Sequence, residues 1–330
     1  MPSFWDRRPV TNTGATGFLG SHLVDALVEL GAWVVVLQRD ERPVTPVVAR
    51  WLDRVARVRG DVGDTALIER VLEEYQVRTV LHVAAQTQVG VARRLPAATF
   101  AVNVGGTWSV LEAVRRSPSV EQVVLASSDK AYGAQDRLPY AEDMELVAEE
   151  PYDASKAAAE LMARSYWSTY GTPVAITRCA NLYGPGDRNW RRIVPGTLRH
   201  VLLGERPVIR SDGSPVRDYL YVKDGAGAYL RLAEAMAGDA SLAGQAFNFS
   251  AEEPISVRAM VARIQQAAGT DLEPVIANDT VGEIPAQHLS ARKARDMLGW
   301  APEYGIDEGL REAVVYYHGM LGLEPAARPA

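Results

Sequence analysis

Short apolar runs alternate with longer stretches of helical periodicity through the first half of the chain. The run Trp33–Leu37 is continuously apolar, which is typical of a strand covered on both faces. Runs of this kind predict strands at Pro9–Thr13, Trp33–Leu37, Thr79–Val83, Val123–Ala126 and Val174–Arg178. Apolar residues at helical spacing predict helices over Ser21–Leu30, Thr65–Tyr75, Val102–Arg116 and Tyr152–Tyr170. This alternation predicts an α/β fold with a doubly wound parallel sheet.

The pattern changes after about Asn181, where glycine and proline become frequent. Helical periodicity recurs there over Arg192–Leu203, Val222–Ala237, Val257–Ala268 and Ala291–Leu298. We therefore expect a first domain over residues 1–180 and a smaller, mixed substrate lobe over 181–322, with segments that return to the first domain. Residues 323–330 are expected to form a disordered tail.

Composition narrows the class of protein. A chain of 330 residues suits a large domain with a smaller one, and 47% apolar with 23% charged residues is ordinary for a soluble enzyme. The net charge of −6 argues against a nucleic-acid partner. The single cysteine, Cys179, has no partner for an intrachain disulfide. The sequence also shows neither a leader segment nor a membrane span. We therefore expect a cytoplasmic protein. We expect no metal site, because the five histidines lack the spacing of metal ligands.

A glycine-rich turn lies between the first strand and the first helix. Its glycines are spaced G-x-x-G-x-x-G, and its candidate cofactor contacts are Gly14, Thr16, Gly17, Phe18, Leu19 and Gly20. Glycines at these positions allow a tight turn and a close approach of the backbone to a pyrophosphate at the helix N-terminus. The placement after a strand and before a helix predicts a Rossmann-type fold that binds a dinucleotide.

The end of the second strand leaves the type of nicotinamide cofactor open. An acidic residue in place of Gln38 would bind the ribose diol of NAD, but Gln38 is neutral. Arg39 is able either to meet the 2′-phosphate of NADP or to remain a solvated surface arginine. After the third strand, Asp61 and Val62 are candidates for the adenine edge, although Asp61 also fits an ordinary loop. The sequence therefore predicts NAD or NADP.

Two segments carry the candidate chemistry. Tyr152 and Lys156 are four residues apart, so on a helix they share one face. The positive charge of the lysine is expected to lower the pKa of the tyrosine phenol. The phenolate would then act as a general base. Ser128, Asp129 and Lys130 add a hydroxyl, a carboxylic acid and an amine at the end of an apolar run. Together they suggest oxidation of a substrate hydroxyl with a second acid/base pair alongside.

In this order, the motifs resemble the extended short-chain dehydrogenase/reductase family, which includes the nucleotide-sugar epimerases and dehydratases. The resemblance covers nearly the whole chain. It also rests on Ala84-Ala85-Gln86, Asn103, Arg217-Asp218-Tyr219-x-Tyr221-Val222-x-Asp224 and Leu298-Gly299-Trp300-x-Pro302. It implies that Ala84, Ala85, Gln86, Asn103, Tyr152 and Lys156 contact the cofactor, with Asn103 equally suited to bridging backbone groups.

The same resemblance implies a nucleotide-diphosphate sugar as substrate. Its candidate contacts are Gln88, Asn181, Arg192, Ile193, Arg217 and Tyr221. Arginine suits a diphosphate because its fork donates two hydrogen bonds. Arg217 also fits a structural pair with Asp218, and the ring of Tyr221 also fits core packing.

Within the family, Ser128-Asp129-Lys130 resembles the CDP-glucose 4,6-dehydratases. The implied reaction forms a 4-keto-6-deoxy sugar. Tyr152 takes the proton of the 4-hydroxyl, which Ser128 also hydrogen-bonds, while the hydride passes to the cofactor. Neutral Lys130 removes the C5 proton, Asp129 protonates the departing 6-hydroxyl, and the hydride returns to C6. The cofactor is recycled and is expected to stay tightly bound.

Two alternatives remain open. If Asp129 and Lys130 only shape their loop, the enzyme is a 4-epimerase or another epimerase of the same fold. A cofactor-sensing protein without turnover is a different class, which the intact Ser128, Tyr152 and Lys156 set argues against. The family resemblance also implies a homodimer through the helices at Val102–Arg116 and Tyr152–Tyr170.

Overall fold

The computed structural model describes residues 3–41, 43–279 and 283–323. The predicted tail therefore lies outside the described residues, apart from Leu323. The strands found there are β1 (Pro9–Thr13), β2 (Trp33–Gln38), β3 (Ala56–Arg59), β4 (Thr79–His82), β5 (Gln122–Ala126), β6 (Val174–Cys179), β7 (Asn181–Tyr183), β8 (Val208–Ile209), β9 (Val216–Arg217), β10 (Tyr219–Tyr221), β11 (Ala246–Phe249), β12 (Ile255–Ser256), β13 (Val275–Ile276) and β14 (Ala286–Gln287).

The helices surround these strands. They are α1 (Phe18–Glu29), α2 (Pro46–Ala49), α3 (Thr65–Glu74), α4 (Val89–Arg94), α5 (Pro96–Phe100), α6 (Gly106–Arg116), α7 (Pro151–Tyr170), α8 (Ile193–Leu202), α9 (Val222–Gly238), α10 (Val257–Ala268), α11 (Arg292–Leu298) and α12 (Ile306–Met320). Short 3₁₀ turns lie at Leu52–Arg54, Asp129–Tyr132 and Ala240–Leu242, and a π-helical turn lies at Ala101–Gly105. No helix within the described ranges is long and apolar enough to cross a membrane, and the cytoplasmic location stays a prediction.

The main sheet confirms the predicted doubly wound architecture. Its strand order is β11-β6-β5-β4-β1-β2-β3, and all neighbouring strands are parallel. The order reverses between β1 and β4, so the connections leave in opposite directions and open a crevice at the carboxyl ends of these strands. Ligands of open α/β sheets bind in such a crevice, which is where the glycine turn after β1 lies.

Apolar side chains cover both faces of the sheet. One core cluster joins Leu23 and Leu27 of α1 to Leu232 of α9 and to the strands. The second cluster, on the opposite face, contains Leu72 of α3 and Leu111 of α6. Coverage on both faces explains why the central strands are continuously apolar.

The later part of the chain builds a separate core and also completes the sheet. A third cluster contains Leu198 of α8, Met260 of α10 and Leu310 of α12. In addition, β11 pairs in parallel with β6 as the seventh strand, with Phe247 opposite Thr177. The boundaries expected at residues 180 and 322 stay predictions.

Several elements differ from the sequence prediction. The strand β11 and the helix α12 were not predicted, and the polar Asn248 interrupts the apolar run of β11. The first helix begins at Phe18 instead of Ser21, because the extended Gly17 already caps it. The helix predicted over Val102–Arg116 is regular only from Gly106, since a π-helical turn precedes it.

A buried ion pair joins three of these elements. Arg178 of β6 donates to both carboxylate oxygens of Glu160 of α7, at 2.9 and 2.6 Å, and both side chains are fully buried. The third arm of Arg178 donates to the hydroxyl of Tyr132 at 2.6 Å, and that hydroxyl donates to Asn248 of β11 at 2.8 Å. The pair therefore fixes α7 and the turn Asp129–Tyr132 against the edge of the sheet.

Breaking this pair should destabilise the protein strongly. We expect Glu160→Gln to lower the free energy of unfolding by about 3 kcal/mol or more, because it leaves a buried guanidinium without its counter-charge. Glu29→Gln is the matched control, since Glu29 pairs with Arg54 at 2.5 Å but is 69% exposed. That control should cost less than about 1 kcal/mol. Urea denaturation of the two variants measures the difference, and equal losses would contradict the assigned role.

Candidate active site

The glycine turn packs directly on the segment that follows β4. Gly14 has φ +82°, and a Cβ at this position would lie 2.9 Å from the backbone of Ala84. A Cβ on Gly20 would lie 2.2 Å from the carbonyl oxygen of Gly14. Larger residues therefore do not fit at either position. Gly17 caps α1 without a side-chain hydrogen bond, so the first amides of the helix remain available to a pyrophosphate.

A cavity of 730 Å³ extends from this turn along the carboxyl ends of the strands. Its volume lies within the range that small-molecule and cofactor sites occupy. Most of the predicted site residues line it, namely Gly14, Thr16, Gly17, Phe18, Leu19, Gly20, Arg39, Asp61, Val62, Ala84, Ala85, Gln88, Ser128, Asp129, Lys130, Tyr152, Lys156, Asn181 and Arg192. The structure thus brings the candidate cofactor contacts and the candidate catalytic groups into one cavity.

Three candidate substrate contacts lie outside the cavity wall. Tyr221 is 1% exposed, and its hydroxyl donates to Glu312 at 2.5 Å, so its ring belongs to the third core cluster and the prediction of a substrate contact is corrected. The guanidinium of Arg217 donates to Glu283 at 3.1 Å, outside the cavity. Ile193 packs against the same core cluster from the first turn of α8.

Three candidate cofactor contacts also lie outside the wall. The side-chain amide of Gln38 donates to the backbone oxygen of Asp40 at 3.2 Å. The side chain of Gln86 closes on the backbone of Gln88, accepting at 2.6 Å and donating at 3.0 Å. Asn103 is buried behind this segment, so these three residues shape the cavity from outside it.

The candidate catalytic groups converge from a turn and a helix. Tyr152 and Lys156 lie one helical turn apart at the start of α7, and both are buried. The ammonium of Lys156 donates to the carbonyl oxygen of Ala126, at the end of β5, at 2.9 Å. The hydroxyl of Ser128 donates to Asp129 Oδ1 at 2.9 Å and accepts from the backbone of Lys130 at 3.2 Å.

Burial controls the protonation of the tyrosine–lysine pair. Burial raises the pKa of Tyr152 to about 12, a hydrogen bond with Ser128 opposes this, and the charge of Asp129 reinforces it. Burial lowers the pKa of Lys156 to about 8, and the charge of Glu160 opposes this. The prediction that Lys156 lowers the pKa of Tyr152 is therefore wrong for the protein alone. Desolvation dominates, and Lys156 is bound to a backbone carbonyl instead.

A directional chain of buried hydrogen bonds runs behind the cavity. Ala84 N–H donates to Thr13 Oγ1 at 3.2 Å, which lies 2.8 Å from His82 Nδ1. His82 Nε2 lies 3.1 Å from Thr107 Oγ1, which donates to the carbonyl oxygen of Asn103 at 2.6 Å. The hydroxyl proton of Thr107 is donated to that carbonyl, so Thr107 Oγ1 is an acceptor for His82. The ring of His82 therefore donates from Nε2 to Thr107 and accepts at Nδ1 from Thr13.

The imidazole of His82 is therefore held neutral. Burial lowers the pKa of His82 to about 3, and the charge of Lys156 acts in the same direction. A charged ring would also place an N–H against Thr13 Oγ1 and take away the acceptor of the Thr13 hydroxyl proton. The chain thus couples the floor of the cavity to the π-helical turn. Sequence reasoning did not single out His82, whose only signal is a polar residue at the end of an apolar strand.

Asn103 connects that turn to the catalytic helix. Its Nδ2 donates to Gln86 O at 3.0 Å and to Ser155 Oγ at 2.9 Å, while its Oδ1 accepts from Gln86 N at 2.7 Å. Ser155 Oγ in turn donates to the carbonyl oxygen of Tyr152 at 2.6 Å. Asn103 therefore positions the backbone around the cavity, and the π-helical turn gives its side chain room to do so.

Additional arginines line the cavity. Arg188, Arg191 and Arg210 accompany the predicted Arg192, and Arg192 donates to the buried Asp187 at 3.0 Å. Two of the additional arginines belong to the run Arg188-Asn189-Trp190-Arg191-Arg192, whose density of basic residues was the missed signal. Guanidinium groups in this number suit an anionic ligand such as a diphosphate.

Comparison with protein families identifies the chain. The NAD dependent epimerase/dehydratase family model matches residues 10–248. The chain belongs to this family. This match confirms the predicted relationship to the epimerases and dehydratases. It also confirms the prediction of a nicotinamide cofactor, because the family is NAD-dependent.

Curated relatives of this family member include both enzyme types. The UDP-glucose 4-epimerase of Mycolicibacterium smegmatis is 32% identical over 309 residues, which cover 92% of this chain and 97% of the relative. The dTDP-glucose 4,6-dehydratase of Xanthomonas campestris pv. campestris is 32% identical over 324 residues, which cover 92% of each. Sequence identity therefore does not separate the two reactions.

Solved structures show the same division. The UDP-glucose 4-epimerase of Thermotoga maritima, solved with UDP-glucose, has a TM-score of 0.86 at 27% identity and covers 95% of this chain and 99% of its own. The dTDP-glucose 4,6-dehydratase of Streptomyces venezuelae, solved with NAD, has a TM-score of 0.84 at 28% identity and covers 96% and 99%. These similarities confirm the predicted Rossmann-type fold.

The surroundings of Arg39 favour NAD over NADP. Asp40 lies 2.8 Å from the guanidinium, and Asp61 lies 4.0 Å from it. The two carboxylates neutralise the arginine and would repel a 2′-phosphate placed beside them. A neutral ribose diol avoids this repulsion, so the residues present fit NAD.

The buried chain through His82 should support cofactor binding. We expect Thr107→Val to lower stability by about 1–3 kcal/mol, because it leaves the buried His82 Nε2–H without its acceptor. We also expect weaker NAD binding, since the segment at Ala84 loses its support. Thr107→Ser keeps the hydroxyl and is the control. Thermal denaturation with and without NAD, together with calorimetric titration, measures both effects. Wild-type values for Thr107→Val would refute the hydrogen-bond chain.

Proposed function

We propose that this protein is a nucleotide-sugar 4,6-dehydratase that converts an NDP-hexose to its 4-keto-6-deoxy product with bound NAD. The supporting observation is that Asp129 and Lys130 line the same cavity as Ser128, Tyr152 and Lys156. An oxidation at C4 alone requires only the latter three groups. The additional acid and amine suit the removal of water from C5 and C6.

Each step has a side chain available. Tyr152 and Ser128 line the same cavity, so both can contact the 4-hydroxyl, whose proton Tyr152 accepts. NAD, held at the glycine turn, would supply a reversible hydride acceptor for C4 and donor for C6, so there would be no net redox change. Its positively charged ring would also favour the phenolate form of Tyr152.

The elimination uses the second pair. Once C4 is a ketone, the neutral amine of Lys130 accepts the C5 proton. The acid form of Asp129 donates its proton to the departing 6-hydroxyl, which leaves as water. The C5–H and C6–O bonds break and a C5=C6 double bond forms. Lys130 then returns its proton to C5 as C6 is reduced. Tyr152 releases the proton that it took from the 4-hydroxyl and Asp129 regains one, so all the groups are regenerated and no net proton is consumed.

We propose that Asn181 and the arginine group at Arg188, Arg191, Arg192 and Arg210 bind the diphosphate of the substrate. Arginine offers paired donors to phosphate oxygens, and these residues line the cavity. The resemblance of Ser128-Asp129-Lys130 to the CDP-glucose enzymes makes CDP-glucose the first donor to test.

A homodimer is part of the same proposal. Phe100 of α5, Trp108 of α6 and Leu161 of α7 are exposed, at 38%, 57% and 65%. Apolar side chains of this size on adjacent helices suit a surface that a second copy covers. Size-exclusion chromatography with light scattering measures the assembly state directly.

A 4-epimerase is the second candidate. The relative from Mycolicibacterium smegmatis and the structure from Thermotoga maritima favour it as strongly as the dehydratases favour the first. In that case Tyr152, Ser128 and Lys156 oxidise and re-reduce C4, while Asp129 and Lys130 shape the cavity.

A panel of NDP-glucose and NDP-N-acetylglucosamine donors separates the two reactions. We expect one donor, tested first as CDP-glucose, to lose one water in mass spectrometry of the products. We expect Lys130→Met to reduce water loss by at least about 100-fold, as is usual for removal of a general base, while substrate binding persists. An unchanged mass with inverted C4 configuration in the NMR spectrum would replace the dehydratase with the epimerase.

A further inference from the structure

A short segment late in the chain contacts the turn that carries Asp129 and Lys130. This segment, residues 286–290, is called the β14 segment because it begins with that strand. Gln287 within it is 1% exposed, and its Nε2 donates to the backbone oxygen of Asp129 at 3.1 Å. The two residues are 158 positions apart in the chain, so only the tertiary fold brings them together. The mechanism above does not use Gln287.

The β14 segment also reaches the other end of the turn, through Tyr140. The backbone of Tyr140 donates to His288 O at 2.8 Å and accepts from Ser290 N at 2.9 Å. The hydroxyl of Tyr140 donates at 3.1 Å to the backbone oxygen of Gly133, the residue that ends the turn. The ring of Tyr140 packs against that of Tyr132, with 5.2 Å between the centroids. The turn is therefore hydrogen-bonded at its first residue and at its last.

The opposite side of the β14 segment is fixed to the later part of the chain. Strand β14 pairs in parallel with β9 in the three-stranded sheet β12-β9-β14, with Gln287 opposite Arg217. Leu289 N donates to the buried carboxyl of Asp218 at 3.4 Å, and the hydroxyl of Ser250 donates to the same oxygen. A segment supported on one side and bonded to the turn on the other restricts where the turn lies. Such restriction matters where reacting groups must meet particular substrate atoms.

We propose that Gln287 is a positioning residue that holds the turn Asp129–Tyr132 where Asp129 and Lys130 can perform the elimination. The inference rests on the proposed dehydratase reaction. Oxidation at C4 uses Tyr152 and Lys156 of α7, and the described residues show no hydrogen bond between either side chain and the β14 segment. Loss of the bond from Gln287 should therefore slow the removal of water more than the oxidation of C4.

Gln287→Met removes the bond with little change in side-chain length. Gln287 Oε1 is buried without a hydrogen-bond partner among the described residues, so the substitution breaks no second side-chain bond there. We expect faster amide exchange over residues 128–133, measured by hydrogen–deuterium exchange mass spectrometry on the full chain with NAD. This readout needs no turnover.

A comparison of two substrates measures the effect on the reaction. We expect Gln287→Met to lose water about tenfold more slowly from the donor found in the panel, tested first as CDP-glucose, because misplaced reacting groups cost that order of rate. The 6-deoxy analogue of the same donor has no 6-hydroxyl to lose and reports oxidation at C4 alone. Its rate, followed by the absorbance of the reduced nicotinamide, should stay at the wild-type value.

Gln265→Met is the matched control. Gln265 of α10 is also a buried glutamine, at 6% exposure, and its Oε1 accepts from Leu272 N at 2.7 Å, outside the cavity wall. The control loses one side-chain bond to a distant backbone group and should change neither the exchange of the turn nor the ratio of the two rates. Tyr140→Phe removes the hydroxyl that binds the other end of the turn, and it should move both readouts in the same direction as Gln287→Met. It replaces that variant if Gln287→Met does not fold.

The outcomes separate failure of this inference from failure of the proposed function. Wild-type exchange over residues 128–133 in Gln287→Met overturns the inference. A wild-type ratio of water loss to C4 oxidation does so too, as does an equal change of that ratio in Gln265→Met. If the wild-type enzyme removes water from no donor in the panel, the dehydratase proposal fails and the role of Gln287 fails with it.

Discussion

The buried pair between Arg178 and Glu160 is the constraint on which the site depends. It ties α7 to the sheet edge, and through Tyr132 it reaches the turn that carries Asp129 and Lys130. The two halves of the candidate catalytic set are far apart in the chain, since Lys130 and Tyr152 are separated by 22 positions, so neither half positions the other through local structure. A charge pair removed from water has a narrow range of acceptable geometries, which makes it an effective alignment device.

Desolvation has the largest effect on the pKa values of the buried groups around the cavity. Tyr152, Lys156 and His82 all have pKa values displaced towards their neutral forms, because burial outweighs the charges around them. The ionisation states of these buried groups therefore respond to the charge of a ligand that enters the cavity. Among buried groups a bound cation or diphosphate has a larger effect than it would in water.

Most of the framework could be predicted from the sequence, because it depends on local periodicity and on a glycine turn. The first strand was predicted residue for residue, and the cavity contains the predicted tyrosine, lysine and serine. Local sequence patterns do not reveal which distant segments pair or pack together. The strand β11 has only four residues with a polar Asn248 inside, and Tyr221 looked like a ligand contact until its burial was known. The protonation of Tyr152 depended on solvent exclusion, which spacing along a helix does not reveal.

The late position of β11 has a consequence for biosynthesis. The strand ends at residue 249 of 330, yet it covers the edge of β6 and supplies the Asn248 oxygen that binds Tyr132. A nascent chain emerging from the ribosome therefore carries an uncovered edge on β6 while residues 180–245 are made, and such edges recruit other chains. Premature termination within this interval leaves a polypeptide that contains the glycine turn and Tyr152 but lacks the seventh strand, so the edge of β6 stays open to other chains.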